Sequence, residues 1–177
     1  MEKILIDKIG TKFREGNFTD CLKLSEALLK TNKDEFDALC YKGTCLSKLG
    51  RHKEAINIIT ECISIRDNLF FLWSARGDSY YELGEYEDAA DDYKKSLELE
   101  ENGSVMDTCA RALFRIGEVD EALILIKKAI DIGKSSEPVI VMITMLNKIG
   151  LTGEAFKVGT LGAGAFPEDK RFDNYRN

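Results

Sequence analysis

The sequence predicts an all-α chain of helix pairs repeated about five times, roughly ten helices in all. Glycines stand at 16, 50, 84, 117 and 150, in steps of 34, 34, 33 and 33 residues, and a fixed period of this length is the mark of a stacked repeat. Between consecutive glycines lie two amphipathic stretches, each about 14 residues long, with apolar and small residues three and four apart, the period of a helix. Only two prolines interrupt the chain, and proline is the residue least compatible with a helix interior.

Each glycine opens the same short link. The links run Gly16-Asn17-Phe18-Thr19-Asp20-Cys21, Gly50-Arg51-His52-Lys53-Glu54-Ala55 and Gly84-Glu85-Tyr86-Glu87-Asp88-Ala89, then Gly117-Glu118-Val119-Asp120-Glu121-Ala122 and Gly150-Leu151-Thr152-Gly153-Glu154-Ala155. The repeats are expected at about 2–34, 36–69, 70–102, 103–135 and 136–165, a solenoid over 1–166, followed by a polar tail, 167–177. The third repeat shows the pattern best, with a first helix near Leu69 to Leu83 and a second near Tyr86 to Leu99. Trp73, Gly77, Tyr80 and Tyr81 mark the apolar side of the first; Ala89, Ala90, Tyr93 and Leu97 mark that of the second. The glycine follows Leu49, Leu83, Ile116 or Ile149, where a helix must stop and reverse, and a residue free to take positive φ ends a helix most easily. Gly43, Gly77 and Ala110 fall midway along first helices, and Ala55, Ala89, Ala122 and Ala155 early in second helices, so the paired helices can approach closely where they cross. The fifth repeat is the weakest. Gly153, Gly159 and Gly162 interrupt its second helix, each interior glycine costing about 1 kcal/mol relative to alanine. After Pro167 the tail is expected to be loosely ordered, leaving the apolar stretch Leu161 to Phe166 exposed.

The third repeat, Trp73-x2-Arg76-Gly77-x2-Tyr80 then Ala89-x3-Tyr93 and Leu97, resembles the tetratricopeptide repeat. The second and fourth repeats match it well. The first departs at Ile9 and Cys21, the fifth at Ile143, and Lys42 and Arg76 stand where the family usually has leucine. The resemblance implies a right-handed superhelix whose first helices line a concave groove, and a non-catalytic adaptor or scaffold that holds a peptide or protein segment in that groove. The alternative is a structural module that self-assembles through its solenoid ends, giving a homo-oligomer through the carboxy-terminal end.

Composition supports the same class. Hydrophobic residues make up 44% and charged residues 32%, a balance typical of folded soluble chains. A formal net charge of −6 disfavours a nucleic-acid partner, which calls for a basic surface. No stretch reaches the roughly 20 apolar residues that span a bilayer, and the amino terminus lacks the form of a secretion signal. The expectation is a cytoplasmic protein without membrane insertion, whose five cysteines (Cys21, Cys40, Cys45, Cys62 and Cys109) are reduced thiols filling small core sites.

Catalytic chemistry is hard to assemble from these residues. The single histidine, His52, sits at a turn position held elsewhere by Phe18, Tyr86 and Val119. Gly159-x2-Gly162-x-Gly164 has neither the spacing nor the preceding strand of a phosphate loop. The acidic cluster Glu85, Glu87, Asp88, Asp91 and Asp92 matches no calcium loop and reads as a solvated outer face, with Asp91 pairing to Lys95. No enzyme activity, cofactor or metal is expected.

Carried onto this sequence, the resemblance places Asp37, Cys40, Tyr41, Thr44 and Lys48 of the second repeat in the groove, and Phe71, Ser74, Asp78, Tyr81 and Glu82 of the third. The fourth repeat adds Asp107, Arg111, Phe114 and Arg115; the fifth adds Ile140, Thr144, Asn147 and Lys148. Family members that grip the carboxylate end of chaperone tails do so with lysines and asparagines. The corresponding positions here are Ile6, Gly10, Tyr41, Phe71 and Ala75, none of which offers a cationic side chain. What remains is aromatic area from Phe71, Tyr81 and Phe114 beside Arg111, Arg115 and Lys148. That combination suits a partner carrying an apolar anchor next to an acidic segment. For Arg111 the competing reading is an intrahelical pair with Asp107.

Overall fold

All five turn glycines have positive φ, Gly16 at 72°, Gly50 at 77°, Gly84 at 81°, Gly117 at 90° and Gly150 at 85°. The residue after each donates its backbone N–H five residues back, as in Glu85 to Tyr80 and Arg51 to Leu46, both near 3 Å. That is the hydrogen bond by which a left-handed residue closes a helix and turns the chain. The computed structural model describes residues 2–133 and 135–176. Among them are ten α-helices and no strand.

The chain divides into two units, Met1–Glu100 and Glu101–Asn177. The first holds three helix pairs: α1 (Glu2–Arg14) with α2 (Phe18–Thr31), α3 (Phe36–Lys48) with α4 (His52–Ile65), and α5 (Phe70–Leu83) with α6 (Tyr86–Leu99). Within it α1 packs on α3 and α3 on α5, so the first helices form one layer. The second unit holds α7 (Gly103–Arg115) with α8 (Val119–Ile132), and α9 (Glu137–Lys148) with α10 (Thr152–Ala165). There α7 packs on α9.

The crossings sit where small residues allow them. A Cβ on Gly77 would lie 2.9 Å from Tyr93 Cε1 and 3.3 Å from the Ala89 carbonyl oxygen, so only glycine lets α5 and α6 close to this distance. Tyr93 is fully buried, and its hydroxyl donates to Asp78 Oδ1 at 3.0 Å. The ring that fills the space left by Gly77 therefore also holds the next side chain along α5. Two polar ladders tie α3 to α5: Ser79 Oγ donates to Ser47 Oγ at 2.9 Å, and Lys48 Nζ donates to Asp78 Oδ2 at 3.1 Å.

The acidic cluster is not wholly a solvated face. Asp92 is 5% exposed and accepts two 2.7 Å hydrogen bonds from Arg76, one from Nε and one from Nη2. Arg76 Nη1 also donates to Thr60 Oγ1 at 2.9 Å, and its guanidinium carbon stands 5.1 Å from the centre of the Trp73 ring. Burial pushes the Asp92 carboxyl up, with Arg76 opposing, while Asp92 raises the guanidinium above its usual value. The departure at Arg76 thus has a partner on the facing helix. The expected Asp91–Lys95 pair is replaced by Lys95 to Glu98 at 2.7 Å.

The tail is folded rather than loose. Lys170–Tyr175 forms a 3-10 helix whose Phe172 is fully buried in the core of the second unit. The glycines that weaken α10 make room for it. A Cβ on Gly162 would come within 2.5 Å of the Phe172 ring, and one on Gly159 would collide with Tyr175. Leu161 stays 75% exposed, as expected for that stretch, while Phe166 is only partly exposed and stacks on Phe172, 6.3 Å between ring centres.

All five cysteines are buried and stand outside any disulfide. Burial pushes the Cys21 and Cys45 thiols up, and the neighbouring Cys62 thiol together with burial does the same to Cys40. A thiol held protonated and enclosed is a poor nucleophile. Intact mass of freshly prepared protein without reductant should equal that of the fully reduced chain. A loss of two hydrogens would overturn this reading of the core.

Candidate functional site: the cleft of the first unit

The layer of first helices carries a cleft of about 590 Å³. Phe13 of α1 and Tyr41 of α3 stand with ring centres 5.6 Å apart on one side. Phe71 of α5, more than a third exposed, and Leu69 from the preceding loop line another. Cys40, Thr44 and Ala75 are buried and supply small, neutral surface. The Thr44 hydroxyl donates to its own helix at the Cys40 carbonyl, 2.8 Å, so no strong donor points outward there.

Charge is confined to the edge. Lys48 and Asp78 line the cleft as an ion pair. Asp37 and Arg66 also line it, and Arg66 lies over the Phe36 ring with its guanidinium carbon 4.3 Å from the ring centre. A guanidinium held over an aromatic face can still offer N–H donors to a carboxylate. The site therefore offers an apolar, partly aromatic bed of the size that receives side chains, rimmed by groups able to orient a charged neighbour.

Of the residues expected in the groove, Tyr41, Thr44, Lys48, Phe71, Ser74 and Asp78 all line this one cleft, with Asp37 and Cys40. Tyr81 does not line it; its ring packs edge-to-face on Tyr86, 5.1 Å between centres. Sequence reasoning missed Phe13, Phe36, Leu69 and Arg66. Arg66 and Leu69 lie in the link between repeats, where helical periodicity says nothing about direction, and Phe36 is the first residue of its helix.

The second unit differs. Arg111 is not the unencumbered cation the groove reading needed. It donates to Asp107 Oδ2 at 3.0 Å and to Glu137 at 3.1 Å, and Glu137 is bridged in turn by Arg171 at 2.7 Å. The competing intrahelical reading is the one the side chain adopts, because Asp107, with its burial opposing ionisation, keeps the nearest cation. Asp107 lines a smaller cleft of about 310 Å³ with Gly103, Ile132 and Glu137. Phe114 is half-buried and Arg115 exposed on α7; Thr144, Asn147 and Lys148 are exposed along α9, the Thr144 hydroxyl donating to the Ile140 carbonyl at 2.9 Å. Among the described residues, no group of three or more His, Cys, Asp or Glu is placed to hold a metal ion, and no helix is long and apolar enough to cross a membrane.

Family models described as tetratricopeptide repeat match residues 36–69 and 71–102, the two repeats whose first helices are α3 and α5. Residues 36–102 therefore carry two tetratricopeptide repeats. It is similar to human DnaJ homolog subfamily C member 7, 30% identical over 95 residues, which cover 50% of this chain and 19% of that protein. It is similar also to Hsp70-Hsp90 organizing protein 2 of Arabidopsis thaliana, 24% identical over 109 residues, 61% of this chain and 19% of that protein. The chain thus spans about a fifth of the length of these curated relatives. Among solved structures, MamA 41-end from Desulfovibrio magneticus RS-1 superposes with a TM-score of 0.84, at 14% identity, over 95% of this chain and 96% of that one. At that identity the likeness speaks for the tetratricopeptide fold alone.

Proposed function

We propose that this chain is a non-catalytic adaptor that holds a segment of a partner protein on the first-helix side of its repeats. The observation that carries the reading is the cleft between α1, α3 and α5, apolar within and charged at its edge. The name of one relative, an Hsp70-Hsp90 organizing protein, supports a role in bringing proteins together. The fitting partner is a segment with an aromatic or aliphatic anchor for the Phe13, Tyr41 and Phe71 walls and an acidic neighbour for Arg66. Positions used elsewhere to grip a terminal carboxylate are Ile6, Gly10, Tyr41, Phe71 and Ala75 here, so that mode of binding is not proposed. Tyr81 in the first unit and the groove residues of the second are proposed as partner contacts each within its own unit, with Arg111 serving there as a bridge between helices.

Burying an anchor side chain contributes roughly 1.5–3 kcal/mol. Phe71→Ala should therefore weaken a partner segment about tenfold or more, while the protein stays folded, since the ring is more than a third exposed and outside the fully buried core. Titration calorimetry of wild type and variant with a retained partner segment checks this. Equal affinities would remove the cleft from consideration.

The alternative, self-assembly through the solenoid ends, is favoured by the exposure of Leu161 and Phe156 on α10. Light scattering over a concentration series decides it, since the mass of a monomer even at the highest concentration defeats self-assembly.

A further inference from the structure

The face of α10 that carries Gly159 and Gly162 is already occupied, and its occupant has the features of a ligand. Phe172 enters between Gly162, Val139 and Phe166, and Tyr175 three residues on lies over Gly159 with its ring 5.7 Å from Phe156. The backbone hydrogen bonds of this segment close on themselves or on the end of α10: Asp169 to Phe166, Phe172 to Asp169 and Arg176 to Asp173. What attaches it to the face is therefore two rings, the Arg171 cation and the Asp169 carboxylate, which meets Ser136. Arg171 donates to Glu137 Oε2 at 2.7 Å and to Ser136 Oγ at 2.9 Å. Both contacts are exposed to solvent, where ion pairs contribute little and are readily exchanged. A further apolar cleft of about 450 Å³, lined by Val139, Met142, Leu161 and Gly162, stays open beside the seated rings.

Steric and electrostatic features of the face select one kind of occupant. The two glycines, one turn apart, leave notches that a Cβ would fill, and a flat ring is the side chain that enters a notch without needing depth. Glu137 calls for a cation immediately before the first ring. Lowering of the Glu137 carboxyl by Arg171 and Arg111 is in keeping with that preference.

We propose that this face of α9 and α10 is a docking site for a segment of the form cation-aromatic-x-x-aromatic in a partner protein, held closed in the free protein by the chain's own Arg171-Phe172-x-x-Tyr175. A tethered segment competes at an effective concentration in the millimolar range, so a partner must either bind more tightly or bind when the segment is displaced. This surface is separate from the cleft of the first unit, and neither proposal depends on the other.

The probe is a fluorescent peptide reproducing residues 166–177, titrated by anisotropy into the full chain and into F172A/Y175A. Binding to the double variant is expected to be saturable and at least tenfold tighter than to wild type, whose own segment blocks the site. Adding Gly162→Val to the double variant, or Arg171→Glu to the peptide, is expected to weaken binding fivefold or more. Equal binding to wild type and F172A/Y175A, or indifference to Gly162→Val, would overturn the proposal. Circular dichroism of F172A/Y175A supplies the independent check. Loss of helical signal equivalent to α9 and α10 would show that the segment is an integral part of the core, and the docking site would then not exist.

Discussion

Gly77→Leu is expected to destabilise the protein by about 3 kcal/mol, the upper end of the cost of overpacking a core. The Cβ alone would stand 2.9 Å from the Tyr93 ring and 3.3 Å from backbone oxygen at Ala89, and neither neighbour can give way. Tyr93 is enclosed on all sides and anchored through its hydroxyl to Asp78, while the Ala89 carbonyl belongs to α6 itself. Helix propensity runs the other way by roughly 1 kcal/mol, too little to offset the clash. With a urea dependence of about 2 kcal/mol per molar, the midpoint should fall by about 1–1.5 M. Glu87→Leu, at an exposed position on α6, should move it far less. Comparable midpoints for the two would refute the crossing assigned to Gly77. Because Tyr93 also holds Asp78, a cleft residue, the surviving folded fraction of Gly77→Leu should bind a cleft ligand more weakly as well.

Asp92→Ala carries the second large effect. It leaves Arg76 half-enclosed against Trp73 and Thr60 without its carboxylate, and removing one partner of a buried pair typically costs about 3–5 kcal/mol. Asp91→Ala, one residue away and exposed, should stay within about 0.5 kcal/mol of wild type. Replacing both members of the pair with leucine should recover most of the loss, since well-packed apolar side chains often substitute for a buried ion pair without penalty. Chemical denaturation of the three variants checks the set. If Asp92→Ala and Asp91→Ala unfold together, Arg76 is not held as described.

The helix pairs were legible in the sequence because each repeat states its turn with the same glycine and its crossing with the same small residues. Positive φ and close approach are demands a sequence can show residue by residue. Asp92 was not legible, because a helical face reads as acidic and solvated until the facing helix is known to carry Arg76 sixteen residues earlier. The tail was read as loose for a related reason. Polar composition and interior glycines both argue against order when taken locally, and the notches those glycines make for Phe172 and Tyr175 exist only once the chain has doubled back. Eight expected groove residues gather round the cleft because period alone sets which way a helical side chain points. Arg66 and Leu69, in a link, follow no period.

The reading of the cleft as a binding surface is tested most directly by photo-crosslinking. Ser74 lines the cleft, and its hydroxyl bonds only back to its own helix, at the Phe71 carbonyl, so a photoreactive residue can replace it without disturbing the core. The same residue placed at Asp91 samples the exposed face of α6. With a retained partner present, illumination should join it to the chain through position 74 and not through position 91. Crosslinks from position 91 alone would contradict the cleft as the site of binding.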